Sequence, residues 1–450
     1  MNVEKLSKIH FIGIGGIGMS ALASYFISKK LKVSGYDKIL SPITEKLKKE
    51  GATIFHNDEL TLIDNIEKID LVVYTPAIDD DNNQLKYFYK NNYNILKRSD
   101  VLGDISNLYR TIAVAGTHGK TTTSSIIAHI LKVSKKQGAC FIGGVTSNYE
   151  SNLILGKGNF SVMEADEFDQ SFLKLNPDTI VLTSMDSDHL DVYKTEENIQ
   201  KNYIEFTKKL KNKRKLIVEE SIHSLFKNNL SYGFSDFNDL QIFNIIINNG
   251  YYEFDVKYKN EVFKDFSLKM PGKHNLLNTA GAILSTLELG ISIDKIKDAL
   301  NSYKGVKRRF ELHLNKPKLV YIDDYAHHPN EIRALLHAVK EFYPSKKIIG
   351  IFQPHLFSRT KDFLKDFAKS LSDLDHLFLL PIYPAREKPI KGVNSSVLLD
   401  LVKLDNKKLI KSKSELFTDL DKEEDFILLT IGAGDIDLWV NDIFKYLYSK

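Results

Sequence analysis

Short apolar runs recur along this chain, and most of them end in a polar or glycine-rich turn that leads into a stretch with helical spacing of apolar residues. Apolar runs of about four to eight residues bounded by turn residues indicate buried strands. The predicted strands are 8–13, 31–37, 68–74, 93–97, 111–115, 160–165, 179–183, 319–322, 347–352, 376–380 and 425–431. Because these strands alternate with helical stretches, they favour parallel α/β sheets.

The predicted elements group into three α/β domains. We expect a first domain at 1–108, a second at 109–308 and a third at 309–450, within the roughly two to four domains that a chain of 450 residues can form. Inside the second domain, three alternating runs between 240 and 268 are separated by Asn-Gly or Lys-Asn. That pattern predicts antiparallel strands, and therefore a small β insertion.

Composition and charge exclude several classes of function. The content of 43% hydrophobic and 27% charged residues is ordinary for a globular protein. The net charge of +4 comes from 62 basic and 58 acidic residues that are spread along the chain, so neither nucleic acid nor a membrane surface is expected as a partner. No signal-peptide pattern and no apolar run of membrane-spanning length occurs, so we expect a cytoplasmic location.

The clearest candidate chemistry lies in TIAVAGTHGKTTT, residues 111–123, where a predicted strand leads through a glycine-lysine-threonine turn into a predicted helix over 124–132. That is the layout of a phosphate-binding loop. Gly116 and Gly119 let backbone N–H groups face an anion, and the helix N-terminus adds the positive end of its dipole. The alternative is a plain glycine-rich turn with a surface lysine.

Side chains in and around this loop suit a nucleoside triphosphate and Mg²⁺. Lys120 can reach the terminal phosphates, and the hydroxyl of Thr121 or Thr122 can bind the metal. Glu164 and His189 lie at the ends of further predicted strands, and such ends converge on the ligand crevice of an open α/β sheet. Together with phosphate oxygens they would make a Mg²⁺ environment. Each acid alone would more simply be a solvated loop charge or a helix cap.

A second glycine loop lies near the start of the chain. Gly13, Gly15 and Gly18 fit G-x-G-x-x-G between a predicted strand and a predicted helix over 19–28, and Asp37 ends the next predicted strand. The motif predicts a pyrophosphate over the helix N-terminus and Asp37 on a ribose or base. Taken alone, it leaves a nicotinamide or flavin cofactor and another nucleotide-diphosphate ligand equally open.

Two further groups of polar residues suggest contacts to ligands. Asn275 and Asn278 lie three apart on one face of a predicted helix, where they could contact adenine or metal-bound water, or where Asn275 could cap the helix. In the third domain, each predicted strand runs into a polar loop. The candidate residues in those loops are Asp323, Asp324, Tyr325, His327, His328, His355 and Arg359.

Nine motifs of this chain, in order and across nearly its whole length, resemble the Mur ligases of peptidoglycan synthesis. They are HFIGIGGIGMS, AGTHGKTTT, EADEFDQSFL, DSDHLD, PGKHNLLN, GVKRRFE, DDYAHHPNE, FQPHLFSRT and YPAREKPI. The resemblance implies an α/β fold of three domains: a Rossmann-like N-terminal domain for a UDP-sugar, a central phosphate-loop ATPase with the β insertion, and a Rossmann-like C-terminal domain that contacts an amino acid.

The resemblance also implies roles for single residues. ATP would be bound by Gly116, Thr117, His118, Gly119, Lys120, Thr121, Asn275, Asn278, Arg309 and Asp324. Mg²⁺ would be bound by Thr121, Glu164 and His189. The UDP-sugar and the amino acid would be bound by Gly13, Gly15, Gly16, Gly18, Asp37, Tyr325, His327, His328, His355 and Arg359. The residues implied to act in catalysis are Lys120, His189, Arg309 and Asp324.

Within the family, the chain resembles the members that use ATP and Mg²⁺ to join L-alanine to the lactyl carboxylate of UDP-N-acetylmuramate. A ligase that attaches a recycled peptide to the same UDP-sugar is the nearest alternative, and the FQPHLFSRT loop argues against it. Two alternatives come from other classes: a nicotinamide dehydrogenase built on the first glycine loop, and a regulatory ATP-binding module without catalysis.

Overall fold

In the part of the chain that the structure describes, three sheets are present, of five, ten and six strands. The computed structural model describes residues 6–79, 81–166, 168–185, 196–211, 215–248, 251–385 and 387–449. The chain divides into two compact units. The first comprises Met1–Ile245, Phe254–Ser267 and Leu276–Lys304, and the second comprises Ile246–Glu253, Leu268–Asn275 and Gly305–Lys450.

The first sheet is entirely parallel. Its strands are β1 (Lys8–Ile12), β2 (Lys32–Tyr36), β3 (Thr53–Phe55), β4 (Leu71–Tyr74) and β5 (Ile95–Lys97), and its helices are α1 (Ile17–Ser28), α2 (Pro42–Glu50), α3 (Asn83–Lys90) and α4 (Arg98–Ser106). The strand order is β3-β2-β1-β4-β5. The order of connections reverses beside β1, and open α/β sheets bind ligands at such a point.

The second sheet is built around β6, which leads into the phosphate loop. Its strands are β6 (Arg110–Ala115), β7 (Ala139–Thr146), β8 (Ser151–Leu155), β9 (Phe160–Glu164), β10 (Thr179–Leu182), β11 (Leu216–Glu219), β12 (Leu230–Gly233), β13 (Leu240–Asn248), β14 (Tyr251–Tyr258) and β15 (Glu261–Leu268). Its helices are α5 (Lys120–Val133), α6 (Glu196–Thr207), α7 (Lys273–Leu287) and α8 (Ile293–Ser302). The order is β15-β14-β13-β12-β11-β10-β6-β9-β7-β8, and β6 pairs in parallel with both β10 and β9.

The third sheet lies in the second unit. Its strands are β16 (Glu311–Lys316), β17 (Leu319–Asp324), β18 (Lys347–Phe352), β19 (His376–Leu379), β20 (Lys407–Leu409) and β21 (Phe426–Ile431). Its helices are α9 (Pro329–Phe342), α10 (Phe357–Asp362), α11 (Leu364–Leu371), α12 (Ser395–Leu401), α13 (Lys413–Leu420) and α14 (Asp437–Tyr448). The order is β16-β17-β21-β18-β19-β20, and only the β16–β17 pair among these is antiparallel.

The first two sheets share one apolar core within the first unit. Tyr25 of α1 packs against Phe141 of β7, with ring centroids 5.6 Å apart. Asn152 of β8 donates a hydrogen bond from its side chain to the carbonyl oxygen of Ile17, 2.5 Å away. The N-terminal helix is therefore fixed against the sheet that carries the phosphate loop.

The predicted α/β fold of three domains is confirmed, and most predicted strands lie within two or three residues of the observed ones. Lys259 and Asn260, both at positive φ, form the two-residue turn between β14 and β15 that the β insertion requires. Helix α5 begins four residues earlier than predicted, at Lys120. Short 3₁₀ segments lie at Leu60–Leu62, Ile66–Lys68, Phe168–Lys174 and Glu220–Leu225. None of the helices in the described ranges combines the length and the apolar character needed to span a bilayer.

Candidate active site

The phosphate loop begins where the buried strand β6 ends, and its backbone requires glycine at two positions. Gly116 has a φ of +136°, and a Cβ there would lie 2.2 Å from Oγ1 of Thr183. Gly119 has a φ of +82°, and a Cβ there would lie 2.2 Å from Oδ1 of Asn278. Since both the left-handed conformation and the lack of space exclude larger residues, the loop lies tightly against its neighbours.

Lys120 is the first residue of α5 and folds back over the loop. Its Nζ donates to the carbonyl oxygens of Gly116, at 2.7 Å, and Thr117, at 3.2 Å. Phosphate oxygens are stronger acceptors of a charged N–H than carbonyls are, so a bound phosphate would draw the ammonium away from these carbonyls. The backbone N–H of His118 donates to Oγ of Ser184, 2.9 Å away, which fixes the middle of the loop.

Glu164, at the end of β9, lies beside the phosphate-loop helix. Its Oε1 accepts a hydrogen bond from Oγ1 of Thr121 at 2.9 Å, and its Oε2 accepts the backbone N–H of Gly143 at 2.8 Å. Burial raises the pKa of the Glu164 carboxyl, and the ammonium of Lys120 opposes that rise. A hydroxyl and a carboxylate are hard oxygen ligands, so this pair suits Mg²⁺. His189, the other predicted metal ligand, lies outside the described residues.

The two asparagines of α7 are both buried and have different partners. Oδ1 of Asn278 accepts a hydrogen bond from Oγ1 of Thr123 at 3.3 Å, so this amide supports the phosphate-loop helix. Nδ2 of Asn275 donates to the carbonyl oxygen of Pro271, 2.7 Å away. Because α7 begins at Lys273, Asn275 lies inside the helix, and the capping interpretation is wrong for this residue.

The first glycine loop follows β1 and is held by an aspartate. Gly13 has a φ of +86° and turns the chain out of the strand. The backbone N–H groups of Gly15 and Ile39 donate to the two carboxylate oxygens of Asp37, at 2.7 and 3.0 Å. Gly16 then precedes the first turn of α1. Asp37 therefore shapes the loop directly, and its predicted contact with a ribose or base stays a prediction.

Asp324, at the end of β17, lies in a cluster with Arg309 and Tyr325 in the second unit. Its oxygens accept the backbone N–H groups of Phe310, at 2.7 Å, and Ala326, at 2.8 Å. Burial raises the pKa of Asp324 to about 6, against the nearby charge of Arg309. The guanidinium carbon of Arg309 lies 5.5 Å from the centre of the Tyr325 ring, within reach of a cation–π interaction.

His327 and His355 face each other on loops of the third sheet, with ring centroids 6.1 Å apart. Nδ1 of His327 lies 2.9 Å from the carbonyl oxygen of Tyr325, so Nδ1 carries the proton and Nε2 is the acceptor of the ring. Burial lowers the pKa of His327, Glu331 opposes this, and Arg359 adds to the lowering. Burial, with His327 and Arg359, lowers the pKa of His355 to about 4. Both imidazoles are therefore neutral at pH 7.

His328 has a structural partner on each side. Its Nδ1 accepts the backbone N–H of Asn330 at 3.3 Å and caps α9, while its ring meets the edge of Phe363 with centroids 4.6 Å apart. Arg359 lies on α10, which follows Leu356 at a φ of +70°. Positive φ at a residue other than glycine is strained and is typical of binding loops.

The structure gathers the predicted residues into three groups. The first loop holds Gly13, Gly15, Gly16, Gly18 and Asp37. The phosphate loop brings Gly116, Thr117, His118, Gly119, Lys120 and Thr121 together with Glu164 and Asn278. The loops of the second unit hold Arg309, Asp324, Tyr325, His327, His328, His355 and Arg359, and Asn275 belongs to the same unit. Sequence reasoning missed Gly143 and Ser184, which contact the site through long-range pairs that no local pattern indicates.

Comparison with known proteins gives the same domain order as the three sheets. Sequence models of the Mur ligase family match its catalytic domain at 8–110, its middle domain at 114–286 and its glutamate ligase domain at 308–435. A UDP-N-acetylmuramate–L-alanine ligase of Flavobacterium psychrophilum is 49% identical over 100% of this chain and 100% of its own length.

Two solved structures share the fold. The UDP-N-acetylmuramate–alanine ligase of Thermotoga maritima matches with a TM-score of 0.84 and 28% identity, over 98% of this chain and 100% of its own. A murein peptide ligase of Psychrobacter arcticus matches with a TM-score of 0.71 and 22% identity, over 98% of both chains, and so shows the fold alone. With domain models along the chain and relatives matched over their full length, this chain belongs to the Mur ligase family.

Proposed function

We propose that this chain joins L-alanine to the lactyl carboxylate of UDP-N-acetylmuramate with the hydrolysis of ATP to ADP and phosphate. The observation that carries the proposal is the phosphate loop, in which Lys120 and the Thr121–Glu164 pair surround the N-terminus of α5. The full-length relative from Flavobacterium psychrophilum, a UDP-N-acetylmuramate–L-alanine ligase, supports the choice of substrates. We assign the reaction to the cytoplasm, where ATP is available.

We further propose that each of the three domains predicted at 1–108, 109–308 and 309–450 binds a different substrate. The first binds the UDP-sugar, with its pyrophosphate over the glycines that precede α1. The second binds ATP through the phosphate loop and the asparagines of α7. The third binds L-alanine through the loops that follow β17 and β18, where two neutral histidines lie near Arg359. In this division the first loop binds a UDP-sugar in place of a nicotinamide.

The first chemical step is the transfer of a phosphoryl group. A lactyl carboxylate oxygen attacks the γ-phosphorus of ATP in line, the bond from that phosphorus to the bridging oxygen of ADP breaks, and an acyl phosphate forms. Negative charge builds on the phosphoryl oxygens and on the leaving oxygen. The ammonium of Lys120, which already lies over the loop, stabilises that charge.

The second step forms the amide bond. The amine of L-alanine is mostly protonated near pH 7 and must lose a proton before it attacks the acyl carbon. Nε2 of His327 suits this task, because Nδ1 holds its proton against the Tyr325 carbonyl oxygen and leaves Nε2 as an acceptor. Collapse of the tetrahedral intermediate expels phosphate and leaves UDP-N-acetylmuramoyl-L-alanine.

Mg²⁺ fits the residues beside the phosphate loop. Glu164 is only partly exposed, and burial raises the pKa of its carboxyl. A cation next to the carboxylate would relieve the cost of burying its charge. Oγ1 of Thr121 lies 2.9 Å from the same carboxylate and offers a second oxygen. We assign these two residues and His189 as metal ligands, and when bound the ion would screen charge between the β- and γ-phosphates.

Phosphate release tests the proposed function directly. Purified protein with ATP, Mg²⁺ and UDP-N-acetylmuramate is given either L-alanine or a cell-wall tripeptide, and the phosphate formed is measured. We expect release with L-alanine and none with the tripeptide. Release with the tripeptide alone would instead make the chain a murein peptide ligase, and a loss of NAD(P)H absorbance without ATP would indicate a dehydrogenase.

A further inference from the structure

One end of the β insertion belongs to the second unit, together with the third sheet. The segments Ile246–Glu253 and Leu268–Asn275 both lie in that unit, although the sequence model of the middle domain extends to residue 286. The first segment includes the start of β14, and the second includes the first turn of α7 with Asn275. An asparagine that we assign to ATP is therefore packed with the elements of the third sheet.

Tyr252 of β14 connects two elements of this unit and is fully buried. Its hydroxyl donates to Oε2 of Glu341 on α9, at 2.8 Å, and accepts the backbone N–H of Gly272, at 3.1 Å. Its ring meets the edge of the Phe342 ring with centroids 5.0 Å apart. Burial and the carboxylate of Glu341 raise the pKa of Tyr252, so the hydroxyl keeps its proton and donates it.

Gly272 continues this connection into the first turn of α7. Its φ of +91° is a conformation that favours glycine. Its carbonyl oxygen accepts the backbone N–H of Asn275 at 2.8 Å, and Nδ2 of Asn275 donates to the carbonyl oxygen of Pro271 at 2.7 Å. Both bonds tie the asparagine to the turn that Tyr252 holds, so a shift of this turn would displace Asn275.

Helix α9, which carries Glu341, directly follows the loop that we assign to L-alanine. His328 of that loop caps the first turn of α9, and Glu341 lies in the last turn. At a rise of about 1.5 Å per residue, these two positions are about 20 Å apart along the helix. A single helix therefore connects the proposed L-alanine loop with the carboxylate that binds Tyr252.

We propose that Tyr252 is a positioning residue, which holds the turn before Asn275 against α9 and so places this asparagine for ATP. The inference rests on the proposed function. Without the hydroxyl, the buried N–H of Gly272 loses its partner, which makes the present position of the turn less favourable. ATP then finds Asn275 in place in only a fraction of the molecules, and its apparent affinity falls in proportion to that fraction.

Calorimetric titration with ATP and Mg²⁺ tests the assignment on Tyr252→Phe, which retains the ring beside Phe342. We expect this variant to bind ATP about 5- to 30-fold more weakly, the range for the loss of one buried hydrogen bond. In phosphate-release assays, KM for ATP should rise by a similar factor and KM for UDP-N-acetylmuramate should be unchanged. A loss of folded protein would instead lower kcat and leave both KM values as they are.

Variants of Glu341 test the other partner of the bond. Glu341→Gln retains an oxygen that accepts the Tyr252 hydroxyl, so it should bind ATP nearly as the wild type does. Glu341→Ala removes the acceptor and should weaken ATP binding. The double variant with Tyr252→Phe should lose no more than Tyr252→Phe alone, because both changes remove the same bond. Additive losses would show that the two residues act separately and would overturn the assignment.

Tyr258→Phe is the matched control. Tyr258 is the last residue of β14, and its hydroxyl donates to Glu288 within the first unit. The variant removes the same kind of bond between a tyrosine and a glutamate from the same strand, but not at the turn with Gly272. It should bind ATP as the wild type does. Equal weakening in Tyr258→Phe and Tyr252→Phe would reflect the β insertion in general, and the assignment would be wrong.

Two further outcomes separate the inference from the proposed function. If Tyr252→Phe and the wild type bind ATP equally tightly, Tyr252 does not position the turn, and the proposed function is unaffected. If the wild type binds ATP but releases no phosphate with UDP-N-acetylmuramate and L-alanine, the proposed function fails. The titration with ATP alone then still decides the role of Tyr252.

Discussion

The loop after β1 and the loop after β6 both turn on glycines with positive φ ahead of a helix, yet different groups hold them in place. In the first, the carboxylate of Asp37 accepts the backbone N–H of Gly15, and no lysine follows the last glycine. In the second, Lys120 follows the last glycine directly and bonds to the loop carbonyls, with Glu164 close by.

This difference between the two loops indicates that the first binds a phosphate group and the second also takes part in its transfer. Fixed N–H groups suit a diphosphate that stays intact, since nothing at the first loop has to respond to a change of charge. A flexible ammonium and a carboxylate that can share a metal suit a triphosphate whose terminal group leaves. Strand, glycine turn and helix thus give one scaffold for phosphate, and the residues added to it decide whether the phosphate is held or transferred.

Removal of the Lys120 ammonium should give the largest loss of activity among these variants and should leave the first glycine loop unaffected. We expect Lys120→Ala to lower kcat for phosphate release by about 100- to 1000-fold, since one preorganised donor to the transition state is lost. Binding of UDP-N-acetylmuramate, measured by calorimetry, should be unchanged. Lys132→Ala, on the same helix, removes an ammonium that donates to Leu155 at 3.0 Å, and it should retain activity. Full activity of Lys120→Ala would contradict the account, because the phosphate loop would then lack the group that we hold responsible for phosphoryl transfer.

A Cβ added to either loop should lower the affinity for the nucleotide that this loop binds and leave the affinity for the other nucleotide unchanged. Gly119→Ala places a methyl group 2.2 Å from Oδ1 of Asn278 at a φ of +82°, whereas Gly15→Ala places one 2.7 Å from Oδ2 of Asp37. We expect the first variant to bind ATP at least about tenfold more weakly with UDP binding retained, and the second to show the reverse. Calorimetric titration of each variant with ATP and with UDP measures both affinities.

Gly290→Ala is the control for the backbone strain in Gly119→Ala. Gly290 has a φ of +74° with no atom within 4 Å of the added Cβ, so this variant introduces the backbone strain without a collision. It should lower the free energy of unfolding by about 1–2 kcal/mol and leave both nucleotide affinities as they are. If Gly119→Ala lost both ligands together, the loops would not act independently.

The last prediction lies outside both loops and concerns the dependence of stability on pH. Burial, with His327 and Arg359, lowers the pKa of His355 from 6.5 to about 4, so the unfolded chain binds this proton more readily than the folded chain. The stability that His355 contributes is complete above about pH 6.5 and is lost as the pH falls toward 4. In His355→Gln, acidification from pH 6.5 to 4.5 should cost about 1–3 kcal/mol less than in the wild type. Urea unfolding at both pH values measures this, and equal losses would contradict it.

Much of this fold could be predicted from the sequence because many buried strands are short continuous apolar runs. Strands β6 and β18 begin and end within one residue of their predictions, since each run is bounded by a charged residue or a turn. The start of α5 was less clear, because Thr121, Thr122 and Thr123 are polar residues that give no apolar spacing. Strand β7 was missed, as its two consecutive glycines, Gly143 and Gly144, interrupt the apolar run.

The site was predictable where residues lie close together in the chain, and less so where the fold brings distant residues together. Lys120 and Thr121 follow from the loop motif itself. The bond from Gly143 to Glu164 and the approach of Asn278 to Gly119 depend on tertiary packing, which spacing does not encode.

The transfer of oxygen from the sugar substrate to phosphate tests the central claim most directly. UDP-N-acetylmuramate labelled with ¹⁸O in both lactyl carboxylate oxygens is incubated with the protein, ATP, Mg²⁺ and L-alanine, and the phosphate is analysed by mass spectrometry. If the carboxylate attacks the γ-phosphorus of ATP held at the phosphate loop, each phosphate released carries one ¹⁸O atom. Unlabelled phosphate, released while the amide product forms, would contradict an acyl phosphate and with it the proposed reaction.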